Sequence, residues 1–176
     1  MSTTRIIFTF CLITAVLCIC TTSFAAGDEE KNTAAVRRFY DEVMNKGNLK
    51  VIDELIDPKY VEHYVAPGIS ADKAGLTKIM EMYRTAFPDL QVTVEDIIAK
   101  GDKVWVYTIM RGTQKGDFMD IKATGKKIEV KGVDIVRFVN GKAVEHWGVN
   151  DDLTMMQQLG VIPMPGHEHP QEHPKQ

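Results

Sequence analysis

Apolar residues recur at helical spacing in the first half of the chain. A polar run at residues 28–32 precedes the first such stretch, and Gly47 ends it. Because apolar residues three and four positions apart share one helix face, this stretch predicts an amphipathic helix, and residues 49–56 and 72–87 predict two more. Residues 60–65 are expected to form a short extended segment between the second and third helices.

The period changes to two from Leu90 onward, as is typical of strands. Turn residues separate four alternating segments, at residues 90–99, 103–113, 127–139 and 142–150. A final helix is predicted at residues 152–159, with Asp151 as its N-cap and Gly160 as its C-terminal stop. Helices followed by sequential hairpins predict an α+β fold, in which an antiparallel sheet curls against the helices.

The two ends of the chain differ in composition from the part between them. Residues 6–20 form an almost unbroken apolar run, which begins after Arg5 and is followed by small residues up to Ala25. This layout is typical of a signal peptide, so we expect cleavage after Ala25 and a secreted or periplasmic protein. Residues 26–162 are then expected to form one domain, and the proline- and histidine-rich residues 163–176 a disordered tail.

Composition narrows the chemistry that the chain can use. With 44% apolar and 26% charged residues, the chain suits one compact domain and not a disordered protein. Its three cysteines, Cys11, Cys18 and Cys20, lie in the predicted leader, so we expect no disulfide and no thiol site in the mature protein. Without Arg5 the chain has 20 basic and 24 acidic residues, which does not favour nucleic acid or an anionic membrane as a partner.

Metal and cofactor sites are not expected. The tail carries His167, His169 and His173, but a flexible end holds no ligand in a fixed position. The sequence contains no glycine-rich phosphate loop and no helical His-Glu-x-x-His motif. Any chemistry therefore depends on carboxylate, imidazole and guanidinium groups of the domain.

A carboxylate interrupts the apolar face of the third predicted strand. Asp134 alternates there with valine, isoleucine, phenylalanine and glycine. Burial among them would remove its hydration and raise its pKa, so Asp134 needs a polar partner. The following strand can supply His146, depending on the register of the hairpin between them.

Two registers of that hairpin are possible. A two-residue turn at residues 140–141 sets Asp134 opposite Trp147, whereas a three-residue turn at 139–141 sets it opposite His146. We favour the three-residue turn because of three further contacts. It pairs Val136 with Val144, faces Gly132 with Gly148, and leaves Arg137 beside Glu145.

Asp134 and His146 are the candidate catalytic residues. Together they could form an oriented general base, in which the carboxylate fixes the tautomer of the imidazole. The alternative is a buried pair that only satisfies two polar groups, because a structural ion pair has the same signature. Facing glycines would leave room for a ligand beside the pair.

Six further residues are candidates for lining a substrate pocket: His63, Arg111, Tyr64, Phe118, Gly148 and Asp151. His63 could equally be a satisfied core residue, since it alternates with valines. Arg111 could hold a substrate oxygen, but a surface salt bridge accounts for it as well. Asp151 could lie at the mouth of the pocket or only cap the last helix.

Short segments in a characteristic order carry a family resemblance. They are residues 34–40 (AAVRRFY), 45–49 (NKGNL), 60–63 (YVEH), 86–89 (AFPD), 112–113 (GT), 124–126 (TGK), 140–142 (NGK), 145–147 (EHW) and 157–160 (QQLG). Together they resemble the SnoaL-like polyketide cyclase, or predicted ester cyclase, family. The resemblance implies the cone-shaped α+β fold of nuclear transport factor 2, which encloses a pocket and commonly forms homodimers.

The resemblance also implies a chemistry, with one departure from it. Cyclases of the family close a ring of a polyketide ester without a metal, using an aspartate on the last strand and a histidine on the strand before it. Those positions look like Gly148 and Asp134 here, so the aspartate is missing and the histidine is replaced by a carboxylate.

Three functions are consistent with these features. One is an exported protein whose pocket takes a small, largely apolar carbonyl compound for cyclisation, isomerisation or hydrolysis without a metal. Another is a binding protein of the same fold that performs no chemistry. The third is a mainly structural role as a dimer formed through the opposite sheet face, which we expect to carry Val133, Ile135, Trp147 and Val149 flanked by Lys131, Arg137 and Glu145.

Overall fold

The computed structural model describes residues 26–163 of the 176-residue chain. The predicted signal peptide and almost all of the predicted tail, with its three histidines, lie outside the described residues. The helices are α1 (Ala26–Arg38), α2 (Val51–Leu55), α3 (Lys73–Ala86) and α4 (Asp152–Leu159). The strands are β1 (Ile56–Glu62), β2 (Gln91–Lys100), β3 (Lys103–Thr113), β4 (Lys127–Val139) and β5 (Lys142–Asn150). None of the described helices is both long and apolar enough to cross a membrane.

The five strands form one mixed sheet in the order β1-β5-β4-β3-β2. Strands β2 to β5 are antiparallel neighbours, and β1 lies parallel to β5 at the edge of the sheet. The helices pack over one face of this sheet. The predicted α+β class is therefore confirmed.

The alternation of apolar and polar residues predicted the bounds of β2 to β5 to within one residue. The edge strand β1 differs from the prediction. The second helix was expected to extend to residue 56 and is shorter, because β1 begins at Ile56. Pro58 lies inside β1, and proline is tolerated there because an edge strand leaves some backbone N–H groups unpaired. Of the extended segment expected at residues 60–65, residues 60–62 form the end of β1, which pairs with β5 through residues far away in sequence, and residues 63–65 lie beyond the strand.

The observed hairpin between β4 and β5 has neither of the two predicted registers. Asn140 and Gly141 have φ angles of 52° and 76°, which is the geometry of a two-residue turn. A bulge then follows, because the pairing moves from Phe138 with Ala143 to Arg137 with Glu145. Asp134 consequently lies opposite Gly148, not opposite His146 or Trp147.

The other expected pairs change with the bulge. Val136 pairs with His146 instead of Val144, and Gly132 pairs with Asn150 instead of Gly148. Arg137 does lie beside Glu145, with a hydrogen bond of 2.8 Å from Nη2 to the carboxylate. Because the bulge shifts the pairing by two positions relative to the favoured register, each side chain keeps its expected face.

The interior has two apolar clusters. A larger one joins α1, α2 and α3 to the sheet around Val43, Ile52 and Val104. A smaller one lies under α4 around Phe87, Phe118 and Leu159. Met44, Tyr83 and Met110 pack against both clusters and, as described next, also line a cavity between the helices and the sheet.

Candidate functional site

A cavity of about 410 Å³ lies between the helices and the inner face of the sheet. Such a volume is in the range of sites that bind small molecules. Its described lining contains no lysine and no arginine. Apolar and aromatic side chains dominate it, including six methionines, Met44, Met80, Met110, Met119, Met155 and Met156. The polar lining residues are Tyr40, Tyr60, Glu62, Tyr64, Tyr83, Thr108, Asp134, His146, Asn150 and Asp152.

His146 is held between two carboxylates in this cavity. Its Nδ1 lies 2.8 Å from Oε1 of Glu62, and its Nε2 lies 3.0 Å from Oδ1 of Asp134. The three side chains are mostly buried, with exposures of 19% for His146, 9% for Glu62 and 14% for Asp134. The structure therefore brings the two candidate catalytic residues into contact and adds a third residue, Glu62.

Backbone pairing positions this cluster. Glu62, at the end of β1, is in register with His146 on β5, which brings the carboxylate to the imidazole. Asp134 reaches His146 diagonally, across Gly148. A Cβ at Gly148 would lie 3.0 Å from Oδ1 of Asp134 and 3.2 Å from Cε1 of His146, so the absence of a side chain there permits the contact.

The charge of the cluster follows from these contacts. Burial alone lowers the pKa of His146, but hydrogen bonds and Coulombic attraction from Asp134 and Glu62 raise it more, to about 9. At neutral pH the ring is therefore an imidazolium that donates from both nitrogens. A doubly donating imidazolium has no free lone pair, so His146 cannot itself be the general base at that pH.

The two carboxylates differ in how fully their oxygens are used. Glu62 accepts from the Tyr60 hydroxyl at 2.7 Å and from the Tyr64 backbone N–H at 2.9 Å, and both of its oxygens face His146. Asp134 accepts one bond on each oxygen, from His146 and, at 2.5 Å, from the Tyr40 hydroxyl. Since a carboxylate has about four acceptor positions, Asp134 keeps free ones and Glu62 does not.

Tyr40 reaches Asp134 from a π-helical segment, Phe39–Asn45, that directly continues α1. Burial, and then the charge of Asp134, raise the pKa of Tyr40 well above its usual value. Burial likewise raises the pKa of Tyr83, whose hydroxyl has no hydrogen-bond partner among the described residues. Both phenols therefore keep their protons and act as donors.

Two of the other predicted pocket residues line the cavity. Tyr64 does so near the N-terminus of α4, where its hydroxyl donates to Asp152. Phe118 packs against Tyr83, with ring centroids 4.8 Å apart. Gly148 lies under the Asp134–His146 contact and contributes space, as described above.

Three predicted pocket residues lie elsewhere, which corrects their expected position. His63 stacks on Trp147, 4.6 Å between centroids, because the alternation of the chain after β1 turns it to the opposite face from Glu62. Arg111 points to the outer face of the sheet and pairs with Glu129 at 2.8 Å. Asp151 caps α4, accepting from the Thr154 backbone N–H at 3.0 Å. For Arg111 and Asp151 the simpler alternative is therefore confirmed.

Sequence reasoning did not identify Glu62, Tyr40 or Thr108 as members of the site. The sequence does contain an indication of Glu62, because strand alternation places it on one face with Tyr60 and Tyr64. A carboxylate on such a face needs a polar partner, as Asp134 does. The sequence contains no indication that Tyr40 belongs to the site, since its helical spacing is that of an ordinary core residue.

Replacing Gly148 with alanine is expected to separate Asp134 from His146. The new Cβ would lie against both side chains, so the hydrogen bond between them lengthens and the pKa of His146 falls below about 9. NMR titration of the imidazole measures this change. Val139→Ala, at an exposed position at the end of β4, is the control, and an unchanged midpoint in Gly148→Ala would contradict the assigned role.

Comparisons with known proteins agree with this fold. Residues 34–159 match the family model of the SnoaL-like polyketide cyclases. IdmH of Streptomyces antibioticus, a proposed polyketide cyclase, is 34% identical, with 74% of this chain and 99% of that chain covered and a TM-score of 0.64. AclR of Streptomyces galilaeus, a proposed hydroxylase, is 29% identical, with 81% and 87% covered and a TM-score of 0.68.

A third structure supports the fold alone. The proposed SnoaL-like polyketide cyclase of Jannaschia sp. CCS1 is 24% identical, with 79% of this chain and 98% of that chain covered and a TM-score of 0.70. No curated protein matches the chain. From the family match over most of its length, the chain belongs to the SnoaL-like polyketide cyclase family.

Proposed function

We propose that the cavity binds a small, largely apolar carbonyl compound and that Asp134 removes a proton from the carbon beside the carbonyl group. The observation that carries this proposal is the Asp134 carboxylate, which faces an apolar cavity with acceptor positions still free. A general base must be within hydrogen-bond reach of the proton that it takes, and only a group with a free lone pair can do so.

The remaining groups of the site have supporting roles in this reaction. When Asp134 takes the proton, the C–H electron pair moves into an enolate whose negative charge lies largely on oxygen. The Tyr83 hydroxyl is an uncommitted donor for that oxygen. His146 and Tyr40 orient Asp134 and hold its charge in place, and Glu62 balances the charge of His146. Return of the proton to another carbon would isomerise the compound. Attack of the enolate carbon on a second carbonyl of the same compound would close a ring, with Asp134 returning its proton to the new alkoxide oxygen.

The family supports this class of chemistry without identifying the compound. IdmH is described as a proposed polyketide cyclase and AclR as a proposed hydroxylase, so related proteins carry different proposed reactions on one fold. In this chain Asp134 and not residue 148 supplies the carboxylate, because residue 148 is glycine. The proposed reaction uses only side chains of the domain.

Exchange of deuterium into a simple ketone tests the proposed proton transfer. Beta-tetralone is a suitable probe, because it is apolar, small relative to the cavity, and has acidic hydrogens beside its carbonyl. In D₂O the chain is expected to accelerate loss of those hydrogen signals in NMR spectra above the rate in buffer. An exchange rate equal to that of buffer, at concentrations where the ketone is bound, would contradict the proposal.

A binding function without chemistry is the second candidate. The observation that favours it is Gly148, which occupies the position that the family resemblance gives to the catalytic aspartate. This function predicts that beta-tetralone perturbs the NMR signals of cavity residues such as Tyr83 and Phe118 while its hydrogens exchange at the rate of buffer. The same experiment therefore separates the two candidates.

We also propose that the outer sheet face forms a homodimer. Val149 is 74% exposed, Ile98 is 61% exposed and Trp105 is 47% exposed, and Val133 lies between them. Apolar side chains grouped this way on an exposed sheet are typical of an interface with a second protein surface.

Sedimentation is expected to show a dimer of the wild-type chain at micromolar concentration and a monomer of the Val149→Glu variant, because a carboxylate within the interface would lose its hydration. Val161→Glu changes an exposed valine beyond α4 and is the control that should remain dimeric. A wild-type monomer, or a dimeric Val149→Glu variant, would contradict this interface.

Residues 1–25 are further proposed to direct export. Their basic start, apolar run and small-residue end support this role. Expression of the full-length precursor should then yield a protein outside the cytoplasm that begins at Ala26, as N-terminal sequencing would show. Recovery of the intact precursor from the cytoplasm alone would contradict export.

A further inference from the structure

One row of residues across the sheet carries polar groups that the proposed proton transfer does not use. Gly132 on β4 lies between Thr108 on β3 and Asn150 on β5. From the place that a Cβ would occupy at Gly132, Oδ1 of Asn150 is 2.2 Å away and Oγ1 of Thr108 is 3.4 Å away. The Asn150 amide oxygen therefore occupies the space that a side chain at residue 132 would fill, and the Thr108 hydroxyl borders the same space.

The Thr108 hydroxyl is available to a ligand. Thr108 is only 5% exposed, and it lines the cavity. Within residues 26–163, no group hydrogen-bonds to its hydroxyl. In that part of the chain, however, every fully enclosed side-chain oxygen or nitrogen has a hydrogen-bond partner. The hydroxyl must therefore keep access to the cavity space. A ligand that displaced water from this space without a polar group would leave the hydroxyl buried and without a partner, which is costly, so a polar ligand group at this place would be favourable.

We propose that Thr108 and Asn150 form a second polar subsite, which binds an uncharged hydroxyl or carbonyl group of the ligand; this assignment rests on the proposed function, because it takes the same cavity as the ligand site. Asp134 lies two residues from Gly132 on the same face, so the two subsites are about 7 Å apart. The ligand thus carries an activated carbonyl at Asp134 and a second oxygen about 7 Å away.

The charges of the cavity support an uncharged second group. Its described lining contains the carboxylates Glu62, Asp134 and Asp152 and one imidazolium, His146, with no lysine or arginine. A carboxylate or phosphate on the ligand would meet net negative charge in a poorly hydrated space. A hydroxyl group can both donate to and accept from Thr108 and the Asn150 amide.

Two probe ketones test this subsite. One is beta-tetralone, and the other is its derivative with a hydroxyl at carbon six, which is at the far end of the fused rings from the ketone. The hydroxylated probe is expected to bind the wild-type chain about fivefold more tightly, the effect of one additional hydrogen bond. Calorimetry or NMR titration measures both dissociation constants.

Substitutions of Thr108 and Asn150 test whether these two residues cause the preference for the hydroxylated probe. Thr108→Val keeps the shape of the side chain and removes the hydroxyl, and Asn150→Ala removes the amide. In each variant the hydroxylated probe is expected to bind no more tightly than beta-tetralone, because the additional hydrogen bond is lost. Thr93→Val, an exposed threonine on β2, is the matched control and should keep the preference.

The outcomes separate the subsite from the proton transfer. If the hydroxylated probe binds no more tightly than beta-tetralone, or if Thr108→Val weakens both probes equally, the subsite is wrong while Asp134-dependent exchange can stand. If the preference depends on Thr108 but neither ketone exchanges faster than in buffer, the subsite stands and the proposed reaction is wrong.

Discussion

Asparagine in place of Asp134 is expected to slow deuterium exchange of beta-tetralone by about 100-fold or more. An amide of the same size fills the same space but cannot take the proton, and a positioned general base contributes on the order of 10² to 10⁴ in rate. NMR measurement of the exchange rate at saturating ketone, corrected for exchange in buffer, gives the effect directly.

Binding must be measured in the same variant. Asp134→Asn is expected to bind beta-tetralone within about twofold of the wild type, because the ketone makes most of its contacts with apolar side chains. Glu129→Gln removes another carboxylate of β4, on the exposed face, and should leave exchange unchanged. Wild-type exchange rates in Asp134→Asn would show that another group is the base.

Replacing His146 with leucine is expected to cost about 3 to 5 kcal/mol of unfolding free energy at neutral pH. Without the imidazolium, Glu62 and Asp134 face each other in a mostly buried place with no cation between them, and removal of one partner of a buried ion pair has this effect. Urea unfolding of the variant and the wild type measures the difference. A loss below about 1 kcal/mol would mean that His146 is not the charged centre of the cluster.

The pH dependence of wild-type stability gives an independent reading of the same group. The pKa of His146 is about 9 in the folded chain and 6.5 for an ordinary histidine, so the folded state binds the proton more tightly. The stabilisation that protonated His146 gives the folded state is complete below pH 6.5 and is lost as the pH rises through 9. The free energy of unfolding falls by roughly 3 kcal/mol over this range. His146→Leu should lack this decline between pH 6.5 and 9, and an equal decline in both proteins would assign it to other groups.

Local sequence features predicted most of the fold. Alternation located β2 to β5, and Asp151 and Gly160 marked the ends of α4, because strand periodicity and helix caps depend on neighbouring residues only. The edge strand β1 depends instead on pairing with β5, whose residues lie more than 80 positions away. No local pattern specifies such pairing.

The site was predictable only in part for the same reason. A carboxylate on an apolar face pointed to Asp134, and strand parity pointed to His146 on the same face. The bulge after Ala143 was not visible in the sequence, so the diagonal contact across Gly148 replaced the expected direct pair. Glu62 entered through the distant β1–β5 pairing, and it changes the chemistry, because a second carboxylate makes His146 a cation and leaves Asp134 as the base.

Nitrogen-15 NMR titration of the His146 imidazole tests this central claim most directly. The expected result is protonation of both ring nitrogens at pH 7, with a midpoint near the pKa of about 9 that the flanking carboxylates support. A ring protonated on one nitrogen at pH 7, with a midpoint at or below 6.5, would contradict it. His146 would then have a free lone pair, and Asp134 would no longer be the base that the structure favours.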